Sequence, residues 1–380
     1  MSELKPVRGK IFTLPFFILI LLSFIALVFI TKRFMYGIGA VSNLSDGYPW
    51  GMWIVYDVVT GTAIACGGYA MAILVYIFNK GEYHPLVRSA LLASMFGYTL
   101  ATVSIFFDVG RYWQMYNIFL PWYSNTNSVM FEVAACIATY VFVMWLEFSP
   151  AFFENRGNEK TLKKINSVMF IFIALGVLLP TMHQSSLGSL MIIAGDKLSG
   201  LWQTGFLPLL FLISAIMMGF GMVIFESLFS SVTLKRPLET SLLAKLSGII
   251  PKFLIAFLII RFGDLIFKGK LGLIFNFNLQ SLMFIIENLL FIYPLIILSS
   301  KEKRNQSKCL FLSAASLVLA GSVYRFDTFL IGFSPGANWH YFPSFAEIMI
   351  TIGIISVEIM AYLIFIKTLP VLPEPAIKHA

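Results

Sequence analysis

Charge is what this sequence has least of. Asp, Glu, Lys and Arg make up 12% of its 380 residues and 58% are hydrophobic, where soluble domains carry about 25% charged residues. Long apolar runs recur from end to end, so the composition excludes an ordinary soluble domain and reads as a polytopic membrane protein. Cysteine is also scarce. Cys66, Cys136 and Cys309 each stand alone in apolar runs, and no C-x-x-C occurs. That spacing argues against a disulfide framework, a zinc site, an iron–sulfur cluster and a c-type haem in this chain. Of four histidines, His84, His340 and His379 fall in loops or the tail, and His183 alone lies by a span. A b-type haem across a helical bundle usually takes paired histidines at membrane depth, so no haem is expected either. The net charge of +8 is distributed as membrane topology requires and is no signal for nucleic acid.

Ten apolar runs have the length of a membrane helix, at 13–30, 53–78, 86–107, 129–148, 165–182, 206–229, 246–267, 279–298, 309–329 and 345–366. Their hydrophobicity is continuous, which predicts an all-α bundle and not a barrel. No small-residue cleavage site follows the first run, which reads as a retained helix. With the N-terminus in the cytoplasm, 18 of the 27 Lys and Arg fall on that side and six on the other. This predicts cytoplasmic tails at 1–12 and 367–380, on a single polytopic domain over 1–380. The outward connections, such as "DVGRYWQMYNIFLPWYSNTNS" and "GFSPGANWHYFPS", are aromatic and almost uncharged. They suit a surface that docks a partner or roofs a pocket.

Ionisable groups at membrane depth are costly and face the bundle interior. Asp57, Asp108, Arg111, Glu132 and His183 are expected near the outer face on helices two to five, with His183 closing the fifth. Tyr98 falls mid-span in the third helix and Glu226 near the inner end of the sixth. Glu132 has no basic residue a turn away, so its partner is expected on another helix. Arg261 and Asp264, at i and i+3, read as a local ion pair. Arg325 and Asp327 read as the holders of a helix end. No Gly or Pro break coincides with the charges, which disfavours a transporter. A redox role would then need a diffusible quinone, electrons from another subunit, an apolar slot with a few donors, and titratable groups for two protons.

The stretches "YPWGMWIVYDVVTGTAIACGGYAMA" (48–72), "NSVMFEVAACIATYVFVMWLEFSP" (127–150), "LPTMHQSSLGSLMIIA" (179–194) and "GFSPGANWHYFPS" (332–344) resemble the NrfD/PsrC superfamily. Within it they look most like the HybB-type membrane subunits of hydrogenase-2-like [NiFe] hydrogenases. The resemblance implies two four-helix bundles with flanking helices, in the bacterial cytoplasmic (inner) membrane. It implies menaquinone or ubiquinone bound near the periplasmic face, with no haem in the subunit. It implies a periplasmic, ferredoxin-like iron–sulfur partner and hydrogenase small and large subunits. The residues that such proteins use for quinone and protons map onto Tyr98, Glu132, His183 and Glu226, with Arg88 on the same route. Arg111 and Asp108 shape the mouth in this reading, and Asp57 is counted with the quinone-binding residues. A molybdoenzyme, sulfur-cycle or multihaem cytochrome complex is the alternative donor, and a proton or small-molecule transporter the alternative class.

Overall fold

The computed structural model describes residues 4–234, 236 and 239–373; His379 lies outside them. Among the described residues, ten helices are long and apolar enough to cross a membrane. They are α1 (Leu14–Tyr36), α2 (Trp53–Ile77), α3 (Gly81–Asp108), α4 (Val129–Asn155), α5 (Glu159–Ile193), α6 (Leu207–Thr233), α7 (Thr240–Phe267), α8 (Leu279–Ser299), α9 (Ser307–Ile331) and α10 (Phe345–Thr368). All ten expected spans are present. Two-residue strands β1 (Leu4–Lys5) and β2 (Leu372–Pro373) pair antiparallel, Leu4 opposite Pro373. The two ends of the described chain therefore lie together on one face, here termed the terminal face. The α1–α2, α3–α4, α5–α6, α7–α8 and α9–α10 connections cover the opposite, roof face.

Helices α2–α5 pack as one four-helix group and α6–α9 as a second, joined where α6 meets α2 and α5. Helices α1 and α10 pair with each other and lean on α3. Between helices in lipid there is no hydrophobic driving force, so close backbone approach and interhelical hydrogen bonds hold the assembly. Gly219 shows the first device. A Cβ there would sit 2.4 Å from the Cys66 carbonyl oxygen, so only glycine lets α6 touch α2.

Two elements depart from the sequence reading. Helix α5 does not end at His183 but continues to Ile193. The polar run from His183 onward is absorbed within the helix: Ser185 and Ser186 donate to the Thr181 and Met182 carbonyls, and Gln184 bonds to neighbouring helices. His183 thus lies inside the span, not at its end. Helix α2 is not regular. It is π-wound over Trp53–Thr60 and Ile73–Ile77 and broken between Ile64 and Gly67. π-Winding is frequent at functional sites. The break lies directly beside buried groups, which corrects the expectation that no glycine-flanked break meets the polar cluster. Gly219→Leu should force α6 off this break. An overpacking cost of about 1–3 kcal/mol should appear as a lowered thermal midpoint of the detergent-solubilised protein.

Candidate functional site

Two buried polar regions flank the broken helix α2. The first is a hydrogen-bond network. His183 Nε2 pairs with the Tyr98 hydroxyl at 3.0 Å and with Gln184 Nε2 at 3.0 Å, while Nδ1 lies 3.0 Å from the Leu179 carbonyl oxygen. The Nδ1–H donating to that carbonyl leaves Nε2 as an acceptor for Tyr98 and Gln184. Gln184 also donates to Thr62 Oγ1 at 3.0 Å, and its carbonyl accepts from Arg325 Nη2 at 2.9 Å. Arg325 further donates to the Val59 carbonyl at 3.1 Å, the Phe211 carbonyl at 3.0 Å and Ser214 Oγ at 3.3 Å. Tyr98, His183, Gln184 and Arg325 are completely buried. Arg325 does not hold the end of its own helix, as the sequence suggested. Its acceptors belong to α2, α5 and α6, so it fastens the second bundle to the first.

The second region is a cavity of about 320 Å³ between α2, α3, α6 and α10. Its walls are apolar, with Ile64, Phe96, Met222 and Phe225 among them, and exposed Phe229 and Ile359 stand at its lip. It therefore opens sideways, where lipid lies against a membrane protein. Three carboxyls line it: Asp57, Glu226 and Glu358. At 1.5 Å per residue, Asp57 and Glu226 are separated by roughly 20 Å along the bundle axis, Asp57 toward the roof face. The Tyr362 hydroxyl donates to Glu226, whose second oxygen is buried without a partner, as is one oxygen of Asp57. Gly97 gives this slot its width. A Cβ there would meet the Ala65 Cβ at 2.7 Å and Glu358 Oε1 at 3.2 Å.

The expected residues are divided between these regions. His183 and Tyr98 are bonded to each other in the network. Asp57 and Glu226 line the slot. Asp108, at the last residue of α3, is half-buried with one unpartnered oxygen. Next to it Arg33 donates to the Phe107 and Val109 carbonyls at 2.9 and 2.6 Å, closing the end of α3. Glu132 is half-buried in the first turn of α4, and Arg111 is exposed in the roof; neither makes contact with His183. Arg88 pairs with Glu154 at 2.6 Å and donates to the Pro370 carbonyl at 2.9 Å, on the terminal face. Sequence reasoning did not place Glu358 and Tyr362 at the site. Glu358 was recognisable as a carboxyl within an apolar run, but nothing local showed that α10 folds against α2 and α3.

The roof is built by the segment "GFSPGANWHYFPS". Tyr341 donates to Glu347 Oε1 at 2.6 Å and accepts from the Met52 amide at 2.6 Å. Ser344 and Glu347 form a capping box at the start of α10. Burial, together with the neighbouring Glu347 carboxylate, raises the Tyr341 phenol well above its ordinary range. Tyr341 is therefore a neutral, permanent donor that pins α10 to the entry of α2.

A family model described as "Polysulphide reductase, NrfD" matches residues 40–332. The chain belongs to the NrfD family. It is 48% identical, over 97% of its length and 95% of the relative's, to the probable Ni/Fe-hydrogenase 2 b-type cytochrome subunit of Escherichia coli K12. It is 26% identical, over 90% of its length and 87% of the relative's, to the menaquinone reductase integral membrane subunit of Nitratidesulfovibrio vulgaris. It is also 23% identical, over 54% of each chain, to a subunit of the selenate reductase of Mesobacillus selenatarsenatis. Ten spans and this membership make it an integral membrane protein of that family.

The network yields a direct expectation. Arg325→Lys keeps the charge but not the planar fork of donors, and leaves buried acceptors in α2, α5 and α6 without partners. At about 1–3 kcal/mol for each orphaned group, it should lower the thermal midpoint as much as Arg325→Met does.

Proposed function

We propose that this chain is the quinone-reactive membrane subunit of a respiratory complex in a bacterial cytoplasmic membrane, with its roof toward the periplasm. Electrons come from hydrogen oxidised by a nickel–iron hydrogenase, through an iron–sulfur subunit docked on the aromatic roof. The donor reading is supported by the similarity to a hydrogenase 2 subunit, and the acceptor reading by the similarity to a menaquinone reductase subunit. The observation that carries the proposal is the slot: an apolar cavity, open to the side, with Asp57, Glu358 and Glu226 spaced along its length. A quinone ring and the start of its isoprenoid tail suit such a site.

Quinone reduction takes up two electrons and two protons. Asp57 lies at the roof end of the slot, nearest the proposed electron entry, and is placed to bind and protonate a carbonyl. Glu358 sits midway. Glu226, held by Tyr362, lies toward the terminal face and is placed to replace the protons from that side. The Tyr98–His183–Gln184 network on the other side of α2 fixes the helix that carries Asp57 and offers a second hydrogen-bonded route for protons. In this reading Asp108 and Arg111 belong to the roof side, Glu132 on α4 is a proton-exchange partner for the network, and Arg88 belongs to the terminal face.

The name of the Escherichia coli relative includes a b-type cytochrome. Among the described residues, the donor set does not fit a haem held by two histidines. His84 is exposed in the first turn of α3 and His340 is exposed in the roof, and both ring nitrogens of His183 are already engaged. No step is assigned to a haem.

The test is hydrogen-dependent reduction of a soluble quinone analogue by membranes containing the whole complex. Asp57→Asn and Glu226→Gln should each slow it about 100-fold, while hydrogen-dependent reduction of a dye at the hydrogenase stays unchanged. Unaltered quinone reduction in both variants would remove the slot from the mechanism. The same assay with His183→Ala and Glu132→Gln should show losses for the network and its proton-exchange partner; full activity in both excludes them. A selenate reductase-type donor would instead give complexes with no hydrogen-dependent rate.

A further inference from the structure

Away from the slot, the densest set of buried ionisable groups lies in the second bundle. Arg261 on α7 forms an ion pair with Glu287 on α8, its Nη2 donating to Oε2 at 3.1 Å. The Trp202 indole, from the roof, donates to the same oxygen at 3.0 Å. This corrects the sequence reading of Arg261 with Asp264, since Asp264 is instead bound by Lys268 at 2.8 Å. The Arg261 guanidinium also lies 4.5 Å from the Phe284 ring centre and 5.0 Å from that of Tyr324. Asp327 on α9 is fully buried within hydrogen-bonding range of Glu287, yet neither of its oxygens has a donor.

The charges in this cluster do not balance. The ionisable groups facing Asp327 are Glu287 and Arg261, with Tyr324 three positions before it on the same helix. Arg325 precedes it by two positions, so it points to the opposite side of the helix, and its bonded donors go to α2, α5 and α6. One guanidinium therefore serves two carboxyls. With both ionised, two acceptors would face each other in a dry interior with excess negative charge, which is strongly unfavourable. A proton on either oxygen pair converts the contact into a donor and an acceptor.

We propose that Asp327 and Glu287 are a carboxyl pair that shares one proton in the second bundle. The ligand is a proton, and the pair stands apart from the slot. Infrared spectroscopy of the whole protein, with aspartate carboxyls carbon-13 labelled, tests this at neutral pH. A carbonyl band of a protonated acid is expected that survives Asp57→Asn and disappears in both Asp327→Asn and Glu287→Gln. In Glu287→Gln the new amide supplies the donor that the proton had supplied. Retention of every protonated-acid band in the two folded variants overturns the pair. The unmodified protein gives an independent check. At neutral pH it should show a protonated-acid band, and the absence of every such band overturns the shared proton.

Discussion

A single buried guanidinium ties the molecule together. Arg325 lies where water does not reach, and a charge at such depth costs roughly 3 kcal/mol on insertion scales unless it is satisfied. Its two terminal nitrogens are held by acceptors on α2, α5 and α6, while Nε has no partner. Because the acceptors lie on three helices and the donor on a fourth, the two bundles can dock in only one register without orphaning the charge. Gln184 carries the constraint onward to Thr62 and His183, and His183 carries it to Tyr98 on α3. Each link is a hydrogen bond within an apolar surrounding, where a broken link has no water to replace it.

Helix α2 is the element most shaped by this constraint. On one side its Val59 carbonyl and Thr62 hydroxyl are held by the network. On the other, Asp57 and Gly61 face the slot. A regular α-helix repeats every 3.6 residues, while π-wound turns separated by a break let the same short segment serve both sides. Gly219 and Gly97 allow α6 and α3 to approach this irregular backbone closely. The slot thus acquires stiff walls on the α2 and α3 side, and its opening lies between α6 and α10.

Several features of the site were legible in the residues and several were not. Carboxyls in apolar runs announced themselves, because charge is so rare in this chain. Their partners did not. Arg261 has an acid one turn away, yet it bonds to Glu287 on another helix, since the side chain faces the bundle interior while Asp264 meets Lys268 on its own helix. His183 read as a helix end because a run of His, Gln and two Ser looks like an interface. Within the bundle those side chains find partners on their own helix and its neighbours, so the helix continues. Tyr362 carried no signal, being one aromatic among many.

The sequence by itself determined the class, the ten spans and the family. Length, hydropathy and ordered motifs are properties of local chain, and a bilayer imposes the same helix on every sufficiently apolar run. Only the tertiary structure decided which buried charges meet, where the slot opens and that α2 is broken. Those outcomes depend on which helix faces pack together. In a medium where every interior polar group must find a partner, that choice is made by the whole set of helices at once and is written in no single one of them.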